Sequence, residues 1–98
     1  MYISNMTHFL NEKGEIPKEM PAEAREMAGF LAMVVDITTH IQPTILTPTT
    51  LRCFNKGCQG LINTTFNPGR REIHWFCPNC KNEGVISNWQ GTKWDNMK

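Results

Sequence analysis

A chain of 98 residues with a formal net charge of +1 is one small domain, or half of a domain completed by a partner. So small a net charge excludes overall charge as a basis for binding nucleic acid or a membrane surface. The charge is unevenly spread: residues 1–50 carry three basic and six acidic side chains, a net −3, and residues 51–98 carry seven basic and three acidic, a net +4.

Residues 1–20 read as a flexible N-terminal arm. Tyr2, Ile3, Phe9, Leu10 and Ile16 recur without a helical or strand period, and Gly14 and Pro17 interrupt the segment. The same residues lack a basic start, an apolar block and a small-residue cleavage site, so no secretory signal is expected and the cytoplasm is the expected location. The longest apolar stretch, Phe30–Val35, is too short to cross a bilayer, and no membrane partner is expected.

Residues 21–42 read as the one amphipathic helix. Pro21 suits the first helical position, where its missing N–H is no loss. Glu19, Glu23 and Glu26 complement the positive end of the dipole and His40 the negative end. Ala24, Met27, Ala28, Leu31, Val34, Val35 and Thr38 form one stripe, and Phe30, Met33, Ile37 and Ile41 a second beside it. Together they cover more than half the circumference and leave Arg25, Gly29, Ala32, Asp36 and Thr39 in the remainder. So wide an arc needs a second cover. Either another copy of the chain meets Phe30, Met33 and Ile37, giving a homodimer through the helix, or the N-terminal arm folds back over them.

Residues 43–50 are a Thr/Pro connector, extended because Pro43 and Pro48 forbid helix. Within residues 51–90, strands are expected at Leu61–Phe66, Arg71–Phe76 and Val85–Trp89, the first two joined by a turn at Asn67-Pro68-Gly69-Arg70. Residues 91–98 are a polar tail.

The chemistry lies in Cys53-x4-Cys58 and Cys77-x2-Cys80. Two thiolates this close in sequence grip one ion from a single turn, and two such turns complete a tetrahedral four-sulfur shell, the ligand set of a structural zinc. One zinc per chain is expected. A four-sulfur iron site of the rubredoxin kind, a disulfide and a redox thiol pair are the alternatives. Pro78 presets the second turn, and Gly57 supplies the positive φ that brings Cys58 back in the longer first one. Arg52, Lys56 and Lys81 offset the −2 charge of a zinc tetrathiolate.

On these four cysteines, residues 51–89 resemble the zinc-ribbon family, in which two cysteine knuckles clamp zinc at the end of a three-stranded sheet. The first knuckle departs from the commoner two-residue spacing, and Lys81, with Gly84 only later, follows the second pair where glycine is usual. The segments Trp75–Cys80 and Asn88–Asp95 are similar to small uncharacterised bacterial zinc-ribbon proteins, a likeness that brings no activity with it. With the helix of residues 21–42, the expected fold is small α+β: one N-terminal α-helix packed on a three-stranded antiparallel zinc-ribbon sheet.

Strand alternation places His74 with Glu72 and Phe76, opposite Ile73 and Trp75, as a surface histidine. The sequence offers neither a nucleophile paired with a base nor a phosphate-binding glycine loop, so enzymatic function is not expected. Trp75 and Trp89 read as packing residues, while Trp94, in the polar tail, is equally an exposed anchor. The expected function is a non-enzymatic binding module, a protein-interaction adaptor. The alternative is a nucleic-acid-binding ribbon using Arg52, Arg70, Arg71, Lys81, Lys93 and Trp94.

Overall fold

The computed structural model describes residues 1–97; residue 98, the last of the expected tail, lies outside them. In chain order the elements are β1 (Tyr2–Asn5), a 3-10 turn (Met6–Phe9), α1 (Ala22–Ile41), β2 (Thr47–Arg52), β3 (Leu61–Asn67), β4 (Glu72–Phe76) and β5 (Glu83–Ser87). The strands form one five-stranded sheet in the order β1-β5-β4-β3-β2. β1 runs parallel to β5 and all other pairs are antiparallel.

This corrects the expected three-stranded antiparallel sheet and its N-terminal helix: the sheet is five-stranded and mixed, and a strand and a turn precede the helix. Both unexpected strands lie at sheet edges. β2 comes from the Thr/Pro connector, whose polar residues show no apolar alternation. Pro48 is tolerated there because an edge strand needs no ladder bond on its outer side. Thr49, buried, donates its hydroxyl to the Ile62 carbonyl at 2.7 Å. β1 comes from the supposedly flexible arm, in the register Tyr2↔Gly84 to Asn5↔Ser87.

Alternation in β3, β4 and β5 turns Ile62, Thr64, Ile73, Trp75 and Ile86 inward, where all are fully buried. α1 covers this face with Leu31, Val34 and Val35. Phe30, proposed for self-association, is instead in the core, edge-on to Trp75 with ring centres 5.0 Å apart. The Trp75 indole lies across Gly84, where a Cβ would stand 2.6 Å from its Nε1, so only glycine fits. Tyr2 stacks on the same indole at 5.9 Å.

The ends of the chain close the helix layer. Met6 is fully buried, and Phe9, Leu10 and Ile16 pack on the core, so the arm folds back onto the core while leaving Met33 uncovered. At the other end Trp89 is buried and donates Nε1 to the Arg71 carbonyl at 3.1 Å. Asn96 reaches α1, its amide bonding the Asp36 carbonyl and carboxylate at 2.8 Å each. Ala32 and Thr39, expected in the solvent strip, are therefore buried, while Met33 and Ile41 stay exposed and Ile37 half-buried. The helix begins one residue later than expected, with Pro21 just outside it and its carbonyl accepting from Arg25 N. It stops at Gln42, whose left-handed φ of 54° and N–H to Thr38 O precede Pro43. Among the described residues no helix is long and apolar enough to cross a membrane.

Candidate metal centre

β2 to β5 run alternately up and down, so the β2–β3 and β4–β5 connections emerge at one end of the sheet and the β3–β4 turn at the other. These two connections hold the cysteines, and the pairing of β3 with β4 sets them side by side. Each is closed in the same way. Cys53 N donates to Gly60 O at 3.0 Å, and Cys77 N to Asn82 O at 2.8 Å. The longer first loop folds on itself through Cys58 N to Asn55 O at 3.0 Å, with Gly57 at φ 83°, the positive value its spacing required. In the second, Lys81 N donates to Cys77 O at 2.8 Å and Lys81 itself adopts φ 66°. It takes up the left-handed geometry that glycine commonly supplies. The knuckle closes at Asn82, which is why β5 starts at Glu83, two residues before the expected strand.

The four Sγ atoms lie within 4.8 Å of one another and are positioned to bind a metal ion. The close pairs cross between knuckles: Cys53 to Cys80 at 3.7 Å and Cys58 to Cys77 at 3.6 Å. A tetrahedron with metal–sulfur bonds of about 2.3 Å has edges of about 3.8 Å. The close pairs match that edge and lie far beyond the roughly 2.05 Å of a disulfide; all four are free thiols. Four sulfur donors select a soft or borderline cation over magnesium or calcium.

Asn55 N donates to Cys53 Sγ, and Gly60 N and Asn79 Nδ2 to Cys58 Sγ, each at 3.4 Å. Burial pushes the Cys53 thiol up to about 12 against the Asn55 N–H, while the Asn79 amide and then the Gly60 N–H bring Cys58 down to about 6. Cys77 and Cys53 are buried, Cys58 and Cys80 partly exposed. Gly60 is a site residue that the sequence reading missed. A Cβ there would come within 2.6 Å of Asn79 Cβ and 2.9 Å of Cys77 Sγ. Its signal was available in the spacing Cys58-Gln59-Gly60.

The other candidates do not converge. Arg52 lies at the first knuckle and Lys81 at the second, with its Nζ 5.9 Å from the centre of the Phe76 ring. Arg70 and Arg71 sit in the β3–β4 turn at the far end of the sheet, a strand length of about 16 Å away. Lys93 and Trp94 belong to the tail, where Trp94 is half-buried on the core under Lys93, 5.2 Å from its Nζ. His74 is on the outer face, with Nε2 3.8 Å from the Glu83 carboxylate.

Between α1 and β2 runs a groove in two parts. One, of about 560 Å³, is lined by Phe30, Met33, Leu51 and Phe54, with Glu23 and Glu26 on one wall and Arg52 and Lys56 on the other. The second, of about 420 Å³, continues past Met33 and Leu51 to Ile37 and His40. No protein-family profile, curated protein or solved structure gives a significant match to the chain.

Proposed function

We propose that this chain is a non-enzymatic binding module of zinc-ribbon type, with its two knuckles joined by one structural zinc ion on Cys53, Cys58, Cys77 and Cys80. The observation that carries the reading is the sulfur cluster itself, with cross-knuckle separations of 3.6 and 3.7 Å. Bound zinc supplies a four-bond cross-link, and four sulfurs fill its shell, so neither water nor substrate has a position from which to react. Elemental analysis of the purified, colourless protein is expected to give one zinc per chain. A red, iron-containing protein would overturn the identity of the metal, and a metal-free folded protein would overturn the site.

The surface that supports a protein partner is the α1–β2 groove, with an apolar floor and charged walls of both signs, the composition of an interface core and rim. A second copy of this chain is the simplest occupant. Sedimentation over a wide concentration range is expected to show a reversible dimer that Met33→Glu abolishes. A protein that stays monomeric throughout sinks self-association. The scattered cations support no nucleic-acid role: RNA and DNA are expected not to bind at low salt, and binding that weakens steeply as salt rises would overturn this.

A further inference from the structure

The four sulfurs are unequal in a way that a purely structural site does not require. Cys77 is fully buried and Cys53 nearly so, which leaves Cys58 and Cys80 reachable from solvent. Of these two, only Cys58 is hydrogen-bonded by N–H donors. Its sulfur accepts from Gly60 N and Asn79 Nδ2, at 3.4 Å each. Cys80 Sγ accepts no N–H donor among the described residues; it lies 3.7 Å from Cys53 Sγ, with the other two sulfurs within 4.8 Å. Hydrogen bonds to a metal-bound thiolate withdraw charge from sulfur and lower its nucleophilicity, and exposure admits the reagent. Exposure leaves Cys58 and Cys80, and the hydrogen bonds separate them in favour of Cys80.

We propose that Cys80 is a modification site: the thiolate of this cluster that reacts first with soft electrophiles and peroxides, with Cys53 as the thiolate that resolves it. The proposal rests on the metal-centre reading above. With a hydroperoxide, the Cys80 sulfur attacks the peroxide oxygen. An S–O bond forms, the O–O bond breaks, and hydroxide or alkoxide leaves, giving a sulfenic acid. Cys53 Sγ then attacks the Cys80 sulfur. An S–S bond forms, the S–O bond breaks, and hydroxide leaves. Two thiolates lose two electrons and one peroxide gains them. The donor set falls from four sulfurs to two, and the knuckles exchange a reversible metal clamp for a disulfide between Cys53 and Cys80.

The test uses the full chain, with metal content first measured at one per chain. A preparation without bound metal overturns the metal-centre reading and is recognised before any reagent is added. Limiting iodoacetamide followed by peptide mass mapping is expected to mark Cys80 at least several-fold faster than any other cysteine. Hydrogen peroxide is expected to release the metal in step with a Cys53–Cys80 disulfide. Equal labelling of the four, labelling of Cys58 first, or a disulfide within one knuckle would overturn the proposal. Asn79→Ala removes one donor from Cys58 while keeping the Cβ, and its side chain is at the surface. With metal content unchanged, Cys58 labelling is expected to rise several-fold in this variant and Cys80 labelling to stay constant. A Cys58 rate that does not move would show that the donors do not set the order.

Discussion

The knuckle end of the sheet and the helix layer on its inner face are held by different physics. Residues 53–60 and 77–82 contribute few large apolar side chains, and each loop has two backbone bonds of its own, from Cys53 N and Cys58 N and from Cys77 N and Lys81 N, none of them joining one loop to the other. They are brought together by four sulfurs that, without a cation, gain little from lying 3.6 and 3.7 Å apart. The helix layer instead buries Leu31, Val34, Val35, Trp75 and Trp89 and is held by area. A small domain can thus keep one end rigid with chemistry where it cannot supply volume. Metal removal should accordingly have the largest effect of any single change. Metal-coupled folding of small zinc domains is worth about 10 kcal/mol or more, comparable with the whole stability of about 5–15 kcal/mol expected of a domain. Chelation, or Cys77→Ser, is expected to abolish the cooperative thermal transition followed by circular dichroism. If the helix signal and the tryptophan fluorescence survive intact, the helix layer folds without the metal and the two regions are independent.

The next largest effect should arise inside the helix layer. At Gly84 the indole of Trp75 occupies the place of a side chain, with Nε1 2.6 Å from the position of a Cβ. Gly84→Val would displace that ring from Phe30 and Tyr2 together, an overpacking cost of about 3 kcal/mol. Urea denaturation with saturating zinc should show the loss as a lower midpoint, with metal stoichiometry unchanged. A variant that loses metal before it loses stability would show that Trp75 supports the knuckles more than the core.

How much of this was legible in the sequence follows the same division. The cysteine cluster is legible because ligand spacing is a local code, and Gly57 and the inward pair Ile73 and Trp75 of β4 follow from equally local rules. The two edge strands were not legible. Tyr2–Asn5 and Thr47–Arg52 have no internal period that marks them, and their places are fixed by partners 82 and 17 residues away, Gly84 and Thr64. The same distance hid the fate of the helix. Periodicity marks a wide apolar arc, but which part stays open depends on Asn96 and Met6 docking from the two ends of the chain. Phe30 reads as an outward residue because helical periodicity shows which residues share a face and does not show what covers that face.

Gly60→Ala should act on the knuckle end alone. The added methyl meets Asn79 Cβ and Cys77 Sγ, so the first knuckle must shift away from the second. Zinc affinity is expected to fall about 10–100-fold, the range for disturbing groups that orient metal ligands. Competition against a chromophoric chelator measures it. With zinc in excess, the urea midpoint should stay close to that of the parent; a midpoint as low as that of Gly84→Val would mean that knuckle geometry and core packing are not separable.

The smallest effect, and the sharpest on the helix layer, belongs to Asn96. Its backbone N–H donates to Thr39 Oγ1 at 3.0 Å, and its side-chain amide reaches the Asp36 carbonyl and carboxylate. Asn96→Ala keeps the first bond and loses the side-chain bonds at an exposed position. Thr39 stays satisfied by its own bond to Val35 O at 2.7 Å, so no buried group is orphaned. The cost should be about 1 kcal/mol, that of ordinary exchange of a protein partner for water. Global unfolding will barely register it, so the measurement is amide hydrogen exchange. The tail amides of Asp95 and Met97, now held chiefly to Thr92 O and the Asp95 carboxylate, are expected to exchange faster. The amides of Cys53 and Cys77, closed by Gly60 O and Asn82 O at the end of the sheet that the metal clamps, should keep their protection. Faster exchange at those two cysteines would mean that the tail helps hold the knuckles through the helix and that the two closures work as one.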